Sequence, residues 1–234
     1  MAHVVLVPGL WLDASSWDAV IPDVEASGHT AIPLTLPGLE ARDADRSGVS
    51  LQDQVDAVVA AVDAVPVDER VVVVGHSLGA GLVHLAVDAR PERIARAVYI
   101  GGFPSESGGP LAEGFPTDGV DLPLMELSAF DDRDVADVDD DARAAFVARA
   151  IASPASLTSD VAVLRDDRRF EVPVTIICPE FSPEELQGWV SAGDLPEVAA
   201  IADVTYVDID SGHWPQLTRP RELAALISDA ASAD

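Results

Sequence analysis

The motif Gly-His-Ser-Leu-Gly at residues 75–79, together with its flanking segments, most restricts how this chain folds. Four valines at 71–74 precede the motif, and an apolar, helix-like stretch at 80–89 follows it. The valine run is typical of a strand buried on both faces. At a sharp strand-to-helix turn, a serine between glycines is held in a strained conformation, with its hydroxyl lifted clear of the sheet above the helix N-terminus. We therefore predict that Ser77 is a nucleophile.

Strand-like and helix-like segments alternate along most of the chain. The expected strands are His3–Val7, Thr30–Leu34, Val71–Val74, Arg96–Ile100, Val172–Cys178 and Val204–Ile209. This alternation predicts an α/β fold, with a mostly parallel sheet and helices on both faces. Residues 103–170 break the rhythm, because they are rich in Gly, Pro and Asp and carry few strand signals. We expect residues 1–102 and 171–234 to form the core, with 103–170 as a small lid inserted over the carboxyl edge of the sheet, where ligands bind in such folds.

The charge of the chain restricts its partners. Its 234 residues include 41 acidic residues and 14 basic ones, all arginine, for a formal net charge of −27. Such a surface repels nucleic acid and anionic membranes, so we expect neither as a partner and expect a small-molecule substrate instead. Neither a membrane-spanning stretch nor a signal peptide is evident, and the single Cys178 suits a reducing compartment. We therefore expect a cytoplasmic protein.

A serine hydroxyl needs a base to remove its proton, and histidine is the usual base. Of the five histidines, His213 lies just past the last expected strand and ahead of the last helix. A serine followed by a histidine near the end of the chain is the order of an α/β-hydrolase. We therefore predict that His213 is the general base.

The oxyanion formed during acyl transfer needs two backbone donors. The first expected donor is the amide of Leu78, the residue after the nucleophile. The second comes from the loop after the first strand, where Gly9 allows a close backbone approach; Leu10 is the preferred candidate and Trp11 the next.

Three segments together resemble the α/β-hydrolase superfamily: Val-Val-Leu-Val-Pro-Gly-Leu-Trp at 4–11, the 75–79 motif, and Ser-Gly-His-Trp-Pro at 211–215. The loop at 10–17, the short lid and the segment 183–189 are most similar to the compact methylesterase and hydroxynitrile lyase subgroup. That resemblance implies a Ser-His-Asp triad acting on small esters or cyanohydrins.

The acid of that triad is absent from its expected place. Relatives carry an aspartate shortly after the strand that ends at Cys178, whereas this chain has Phe181 or Ser182 at the aligned position. The end of the preceding strand, Gly101-Gly102, also lacks a carboxylate. The leading substitute is Glu180, because Glu replaces Asp in many hydrolase triads. The remaining alternatives are Asp210, a lid aspartate such as Asp118 or Asp131, or a Ser-His dyad without an acid.

These features predict a serine hydrolase that cleaves a small, largely apolar ester or lactone through an acyl-enzyme. The expected pocket walls are Trp11, Leu12, Phe103, Phe130 and Trp214, with Leu124 and Met125 from the lid. No cofactor and no metal are expected, since the acidic run at 131–141 lacks the glycine and terminal glutamate of a calcium loop. Two alternatives stay open: a hydroxynitrile lyase-like C–C lyase, without lysine assistance because the chain has no lysine, or a non-hydrolytic ligand-binding protein.

Overall fold

A computed structural model of the chain describes residues 1–233. Its strands are β1 (His3–Val7), β2 (Thr30–Pro33), β3 (Val71–His76), β4 (Ile94–Ile100), β5 (Asp121–Leu122), β6 (Ser153–Pro154), β7 (Val174–Cys178) and β8 (Val204–Asp208). Its α-helices are α1 (Ile21–Ala26), α2 (Leu51–Ala64), α3 (Leu78–Ala89), α4 (Asp140–Arg149), α5 (Pro183–Ala192), α6 (Pro196–Ala200), α7 (Pro215–Thr218) and α8 (Pro220–Ser232). Within these residues no helix is both long enough and apolar enough to cross a membrane.

Six strands form one sheet in the order β2-β1-β3-β4-β7-β8, and every neighbouring pair is parallel. The predicted α/β fold is therefore confirmed. Parallel pairing brings the carboxyl ends of all six strands to one edge. That edge carries the turn after β3, which contains Ser77, and the loops after β7 and β8, which contain Glu180 and His213.

The valines of β3 pack against helices on both faces of the sheet. They do so because side chains alternate between the two faces of a strand. Val71 and Val73 belong to one apolar cluster, with α2 and α3, whereas Val72 and Val74 belong to a second, with α1 and α8. All four side chains are fully buried, so a continuous valine run, rather than an alternating one, is what this strand requires.

Two helical segments differ from what the sequence predicts. Ser15 or Ser16 as a cap and Gly28 as a stop predict one helix up to about Ser27, but the structure has a 3₁₀ turn capped by Asp13, followed by the separate helix α1, whose first turn contains Pro22. Proline suits a helix start and breaks an interior, which explains the division. The sequence also predicts helical material over about 183–201, and the structure has two helices there, because Gly193 ends α5 in the left-handed conformation at φ 87°.

The segment 103–170, expected as a lid, contains α4 and a small antiparallel ladder between β5 and β6. Asp139 caps α4 by accepting a hydrogen bond from the Ala142 amide. Trp11 connects this segment to the core, since its indole donates to the Leu122 carbonyl and its carbonyl accepts from the Ile151 amide. Residues 103–170 are therefore anchored directly above the carboxyl edge of the sheet.

Candidate active site

Ser77 occupies a strained turn between β3 and α3. Its backbone has φ 53° and ψ −125°, a region that side-chain-bearing residues rarely adopt. The flanking glycines are sterically required: a Cβ on Gly75 would lie 2.3 Å from the Gly79 carbonyl oxygen, and one on Gly79 would lie 2.6 Å from that of Pro8. The local sequence thus builds the nucleophile elbow that the motif predicts.

A hydrogen-bonded chain runs from Ser77 through His213 to Glu180. Nε2 of His213 lies 2.9 Å from Ser77 Oγ, and Nδ1 lies 2.7 Å from Glu180 Oε1. A carboxylate accepts but cannot donate, so Glu180 selects the tautomer in which Nδ1 carries the proton and Nε2 is free to accept from Ser77. This is the arrangement that activates a serine hydroxyl.

Glu180 reaches His213 because the neighbouring strand end leaves room for it. At Gly101, where φ is +54°, a Cβ would lie 3.2 Å from His213 Nδ1 and 3.3 Å from Glu180 Oε2. The longer glutamate side chain therefore occupies the space beside the imidazole from a position just after β7. Phe181, one of the two positions where the resemblance implies the acid, is buried and packs against Phe103 with ring centroids 5.2 Å apart.

Within the described residues, none of the other acid candidates is hydrogen-bonded to the His213 ring. Asp118 accepts from the Asp121 amide and Asp131 accepts from the Arg133 amide, so both carboxylates complete local turns. Asp210 is exposed, and its carbonyl accepts from the Arg219 side chain. The geometry therefore favours Glu180 over these alternatives and over an acid-free dyad.

Two hydrogen bonds donated by backbone amides fix the His213 loop to residues 103–170. The His213 amide donates to the Asp134 carbonyl at 2.8 Å, and the Gly212 amide donates to Asp137 Oδ1 at 2.9 Å. A Cβ on Gly212 would lie 2.4 Å from the same Asp134 carbonyl, so only glycine permits this approach. Residues 103–170 thus hold the backbone of the loop that carries the imidazole.

The ring of His76 is hydrogen-bonded to the backbone of His213. Its ring is fully enclosed, and Nε2 lies 2.7 Å from the His213 carbonyl, while Nδ1 lies 3.2 Å from the Gln216 amide nitrogen. Burial, assisted by the nearby His213, lowers the pKa of His76 to about 3. The ring is therefore neutral, donating from Nε2 and accepting at Nδ1, and acts as a structural link and not as a second base.

Two amides are placed to stabilise an oxyanion. Leu78 is the first residue of α3, so its N–H has no intrahelical acceptor. The N–H of Leu10 donates to no acceptor within residues 1–233, and a Cβ on the adjacent Gly9 would lie only 3.0 Å from Ser77 Cβ. The alternative donor, Trp11, already donates its amide to Ser153 Oγ at 2.9 Å. These contacts favour Leu10 and Leu78 as the pair.

Two cavities meet at Ser77. The first, of about 240 Å³, is lined by Leu10, Trp11, His76, Ser77, Phe115, Phe130, Asp134, Glu180, His213 and Trp214. The second, of about 220 Å³, is lined by Leu10, Ser77, Leu78, Gly81, Phe103, Ser105, Leu111 and Phe115. They share Leu10, Ser77 and Phe115, so a substrate carbonyl at Ser77 has a separate space on each side.

Four expected wall residues line these cavities: Trp11, Phe130 and Trp214 the first, and Phe103 the second. Three others do not. Leu12 lines a neighbouring cavity with Phe146, and Leu124 and Met125 line one beside Arg143. Trp11, the residue before Leu12, has φ 63° and lines both this neighbouring cavity and the first cavity.

Sequence reasoning missed Phe115, Leu111 and Asp134. All three come from residues 103–170, which carry no motif that would identify them. Their positions depend on long-range contacts such as the Leu157 carbonyl accepting from the Ala112 amide.

Asp134, Glu180 and His213 offer ligand atoms that all lie within 4.8 Å of one another, a spacing that suits a metal ion. Both nitrogens of His213, however, are already hydrogen-bonded to Ser77 and Glu180. A metal would have to break one of these bonds, so the donor set fits proton transfer better than metal binding.

The chain is similar to known proteins in sequence and in fold. Residues 4–226 match the model of the alpha/beta hydrolase family. Methylesterase 8 of Arabidopsis thaliana is 36% identical over 104 residues, which cover 43% of this chain and 38% of the relative. Salicylic acid-binding protein 2 of Nicotiana tabacum is 34% identical over 107 residues, covering 45% and 41%.

Both alignments therefore span about two fifths of the relatives' length. Among solved structures, an extracellular alpha/beta-hydrolase from a Paenibacillus species superposes with a TM-score of 0.80 at 20% identity, covering 100% of both chains, which supports the fold. This chain belongs to the alpha/beta hydrolase family and is similar to its methylesterase-like members.

Proposed function

We propose that this protein is a serine esterase that hydrolyses a small ester through an acyl-enzyme on Ser77. The observation that carries the proposal is the hydrogen-bonded chain from Ser77 Oγ to His213 and Glu180, which opens into a cavity on each side of the serine. The similarity to methylesterases supports the same reaction class.

In the acylation step, Ser77 Oγ attacks the ester carbonyl carbon while His213 Nε2 takes the hydroxyl proton. The carbonyl oxygen becomes an oxyanion, which the amides of Leu10 and Leu78 stabilise. His213 then returns the proton to the leaving alcohol oxygen as the carbonyl–alcohol bond breaks. Glu180 stabilises the transient imidazolium by charge and orientation.

In the deacylation step, a water replaces the alcohol and attacks the acyl carbon. His213 takes a proton from this water and passes it to Ser77 Oγ as the acyl–serine bond breaks. The sum of both steps is ester plus water giving acid plus alcohol, with no cofactor required.

The test combines turnover of a short-chain p-nitrophenyl ester series with covalent labelling by a fluorophosphonate. We expect the wild type to hydrolyse at least one ester and to be labelled once, and Ser77→Ala to lose both properties. Ser156→Ala is a matched control, because this serine lies in a 3₁₀ turn away from the site and should leave both intact. Full esterase activity in Ser77→Ala would disprove the mechanism. Cyanohydrin cleavage without ester turnover would point to the lyase, and neither activity nor labelling to a binding protein.

A further inference from the structure

A second carboxylate lies beside the proposed triad, and the mechanism does not use it. Asp134 is half-buried and lines the cavity on the His213 side of Ser77. One of its carboxylate oxygens lies within 4.8 Å of ligand atoms of both Glu180 and His213. Its Oδ2 accepts from the Asp131 amide at 3.1 Å, and its carbonyl holds the His213 amide, so the side chain is fixed in place.

The other walls of this cavity are aromatic. Trp11 lies with its ring centroid 5.8 Å from that of Phe130 and 6.0 Å from that of Phe115, and Phe130 lies 5.3 Å from Trp214. No arginine lines the cavity within the described residues, and the chain contains no lysine. Aromatic rings with two carboxylates, Asp134 and Glu180, and neither lysine nor arginine form a composition that attracts organic cations, above all alkylated ammonium groups.

The position of His213 tells which half of an ester enters this cavity. The imidazole must donate a proton to the leaving oxygen, so the alcohol half lies on the His213 side. The acyl half then extends into the second cavity, whose walls include Leu78, Phe103 and Leu111. The space beside Asp134 is therefore the space of the leaving alcohol.

The charge of Asp134 also favours a cation there. Burial raises the pKa of Asp134, and the neighbouring Glu180 carboxylate raises it further, against an opposing effect of His213. A cationic group in the cavity would lie close to the Asp134 carboxylate and would offset both its burial and its repulsion by Glu180. At long range, a chain with a net charge of −27 concentrates cations at its surface and speeds their encounter.

We propose that the enzyme prefers esters of amino alcohols, in which a tertiary or quaternary ammonium group on the alcohol half lies against Asp134 and the surrounding aromatic rings. This inference rests on the proposed esterase function and names its substrate class. Asp134 is the specificity-determining residue, since it supplies the charge that distinguishes the cationic alcohol from a neutral one of the same shape.

The test uses two esters of equal shape. Acetylcholine and 3,3-dimethylbutyl acetate differ only in whether a positively charged nitrogen or a neutral carbon carries the three methyl groups. We expect the wild type to show a kcat/KM about tenfold or more higher for the cationic ester, because the Asp134 charge and the aromatic rings both stabilise the ammonium group. We expect Asp134→Asn to lower that ratio several-fold, since only the aromatic contacts remain, and Asp134→Glu to retain part of the difference.

Asp132→Asn is the matched control, because it removes the same charge from an exposed position two residues away. This variant should keep the preference if the effect is local, whereas a fall equal to that in Asp134→Asn would overturn the proposal in favour of a diffuse surface field. The ratio is measured within each variant, so partial loss of folded protein does not affect it.

Two further outcomes would overturn the inference. One is a ratio near one in the wild type, and the other is an unchanged ratio in Asp134→Asn. Hydrolysis of p-nitrophenyl acetate with no turnover of either isostere would also reject it while leaving the esterase function intact. Absence of all ester turnover together with absence of fluorophosphonate labelling would instead reject the proposed function, and the inference would fall with it.

Discussion

Glu180 Oε1 lies 2.7 Å from His213 Nδ1, although the resemblance to other hydrolases implies an acid at position 181 or 182. The contact forms because Gly101 has no side chain, and a Cβ there would lie 3.3 Å from Glu180 Oε2. The Glu180–His213 contact therefore depends both on the longer glutamate side chain and on the glycine at the neighbouring strand end. Each can be tested separately.

Glu180→Gln should lower kcat for ester hydrolysis by about 10⁴-fold. A glutamine amide can donate to Nδ1, which favours the wrong imidazole tautomer and leaves the imidazolium without a compensating charge. Steady-state kinetics with a p-nitrophenyl ester measure the effect, with Glu184→Gln as the control, because Glu184 is exposed in the first turn of α5. Near wild-type kcat in Glu180→Gln would mean that another acid, or none, serves His213.

Gly101→Ala should lower both stability and activity. The left-handed backbone at φ +54° disfavours a side chain by about 1–2 kcal/mol, and the new methyl would press on the imidazole 3.2 Å away. Gly28→Ala is the control for strain alone, because Gly28 has φ +90° and nothing within 4 Å of the added carbon. We expect urea unfolding to show losses in both variants, but a loss of kcat in Gly101→Ala alone. Equal kcat in the two variants would contradict the conclusion that the Glu180–His213 contact needs the space beside Gly101.

Asp137→Ala should reduce kcat more than its location outside the triad would suggest. Its Oδ1 accepts the Gly212 amide beside His213, and removing it leaves a buried N–H unsatisfied at a cost of about 1–3 kcal/mol. Asp137→Asn retains an acceptor oxygen and should recover most of the activity. Steady-state kinetics separate the effects on kcat and KM. A change in KM with unchanged kcat would show that Asp137 does not position the imidazole.

Acid should weaken a buried ion cluster behind the nucleophile helix. Glu197 accepts from His84 at 2.9 Å and from Arg169 at 3.0 and 3.1 Å. Burial raises the pKa of Glu197, but the hydrogen bonds and charges of His84 and Arg169 outweigh it and lower that pKa from 4.5 to about 2. Because the folded-state pKa is depressed, the stabilisation is complete above pH 4.5 and is lost as the pH falls towards 2.

The measurement is the difference in free energy of unfolding between the wild type and Glu197→Gln as a function of pH. We expect a large difference at pH 7 that shrinks below pH 4.5, where Glu197 begins to be protonated in the unfolded chain. Glu92→Gln is the control, since its exposed 3.7 Å pair with Arg168 contributes less than about 0.5 kcal/mol. A difference that does not change with pH would show that the charge of Glu197 is not what stabilises the fold.

The sequence by itself determined the sheet, the elbow and the positions of Ser77 and His213. These features depend on local rules: a valine run buried on both faces, glycines where a Cβ would collide, and a histidine after the last strand. Such rules act over a few residues, so they can be read directly from the chain.

Only the tertiary structure decided which acid contacts His213 and which residues line the two cavities. Glu180 is placed by the space that Gly101 leaves on a neighbouring strand, and Asp134 and Phe115 are placed by contacts between residues 103–170 and the core. Irregular segments have no periodicity from which a facing residue can be read, because their conformation is set by long-range contacts. The catalytic order could therefore be predicted from the chain, whereas the acid and the shape of the site required the fold.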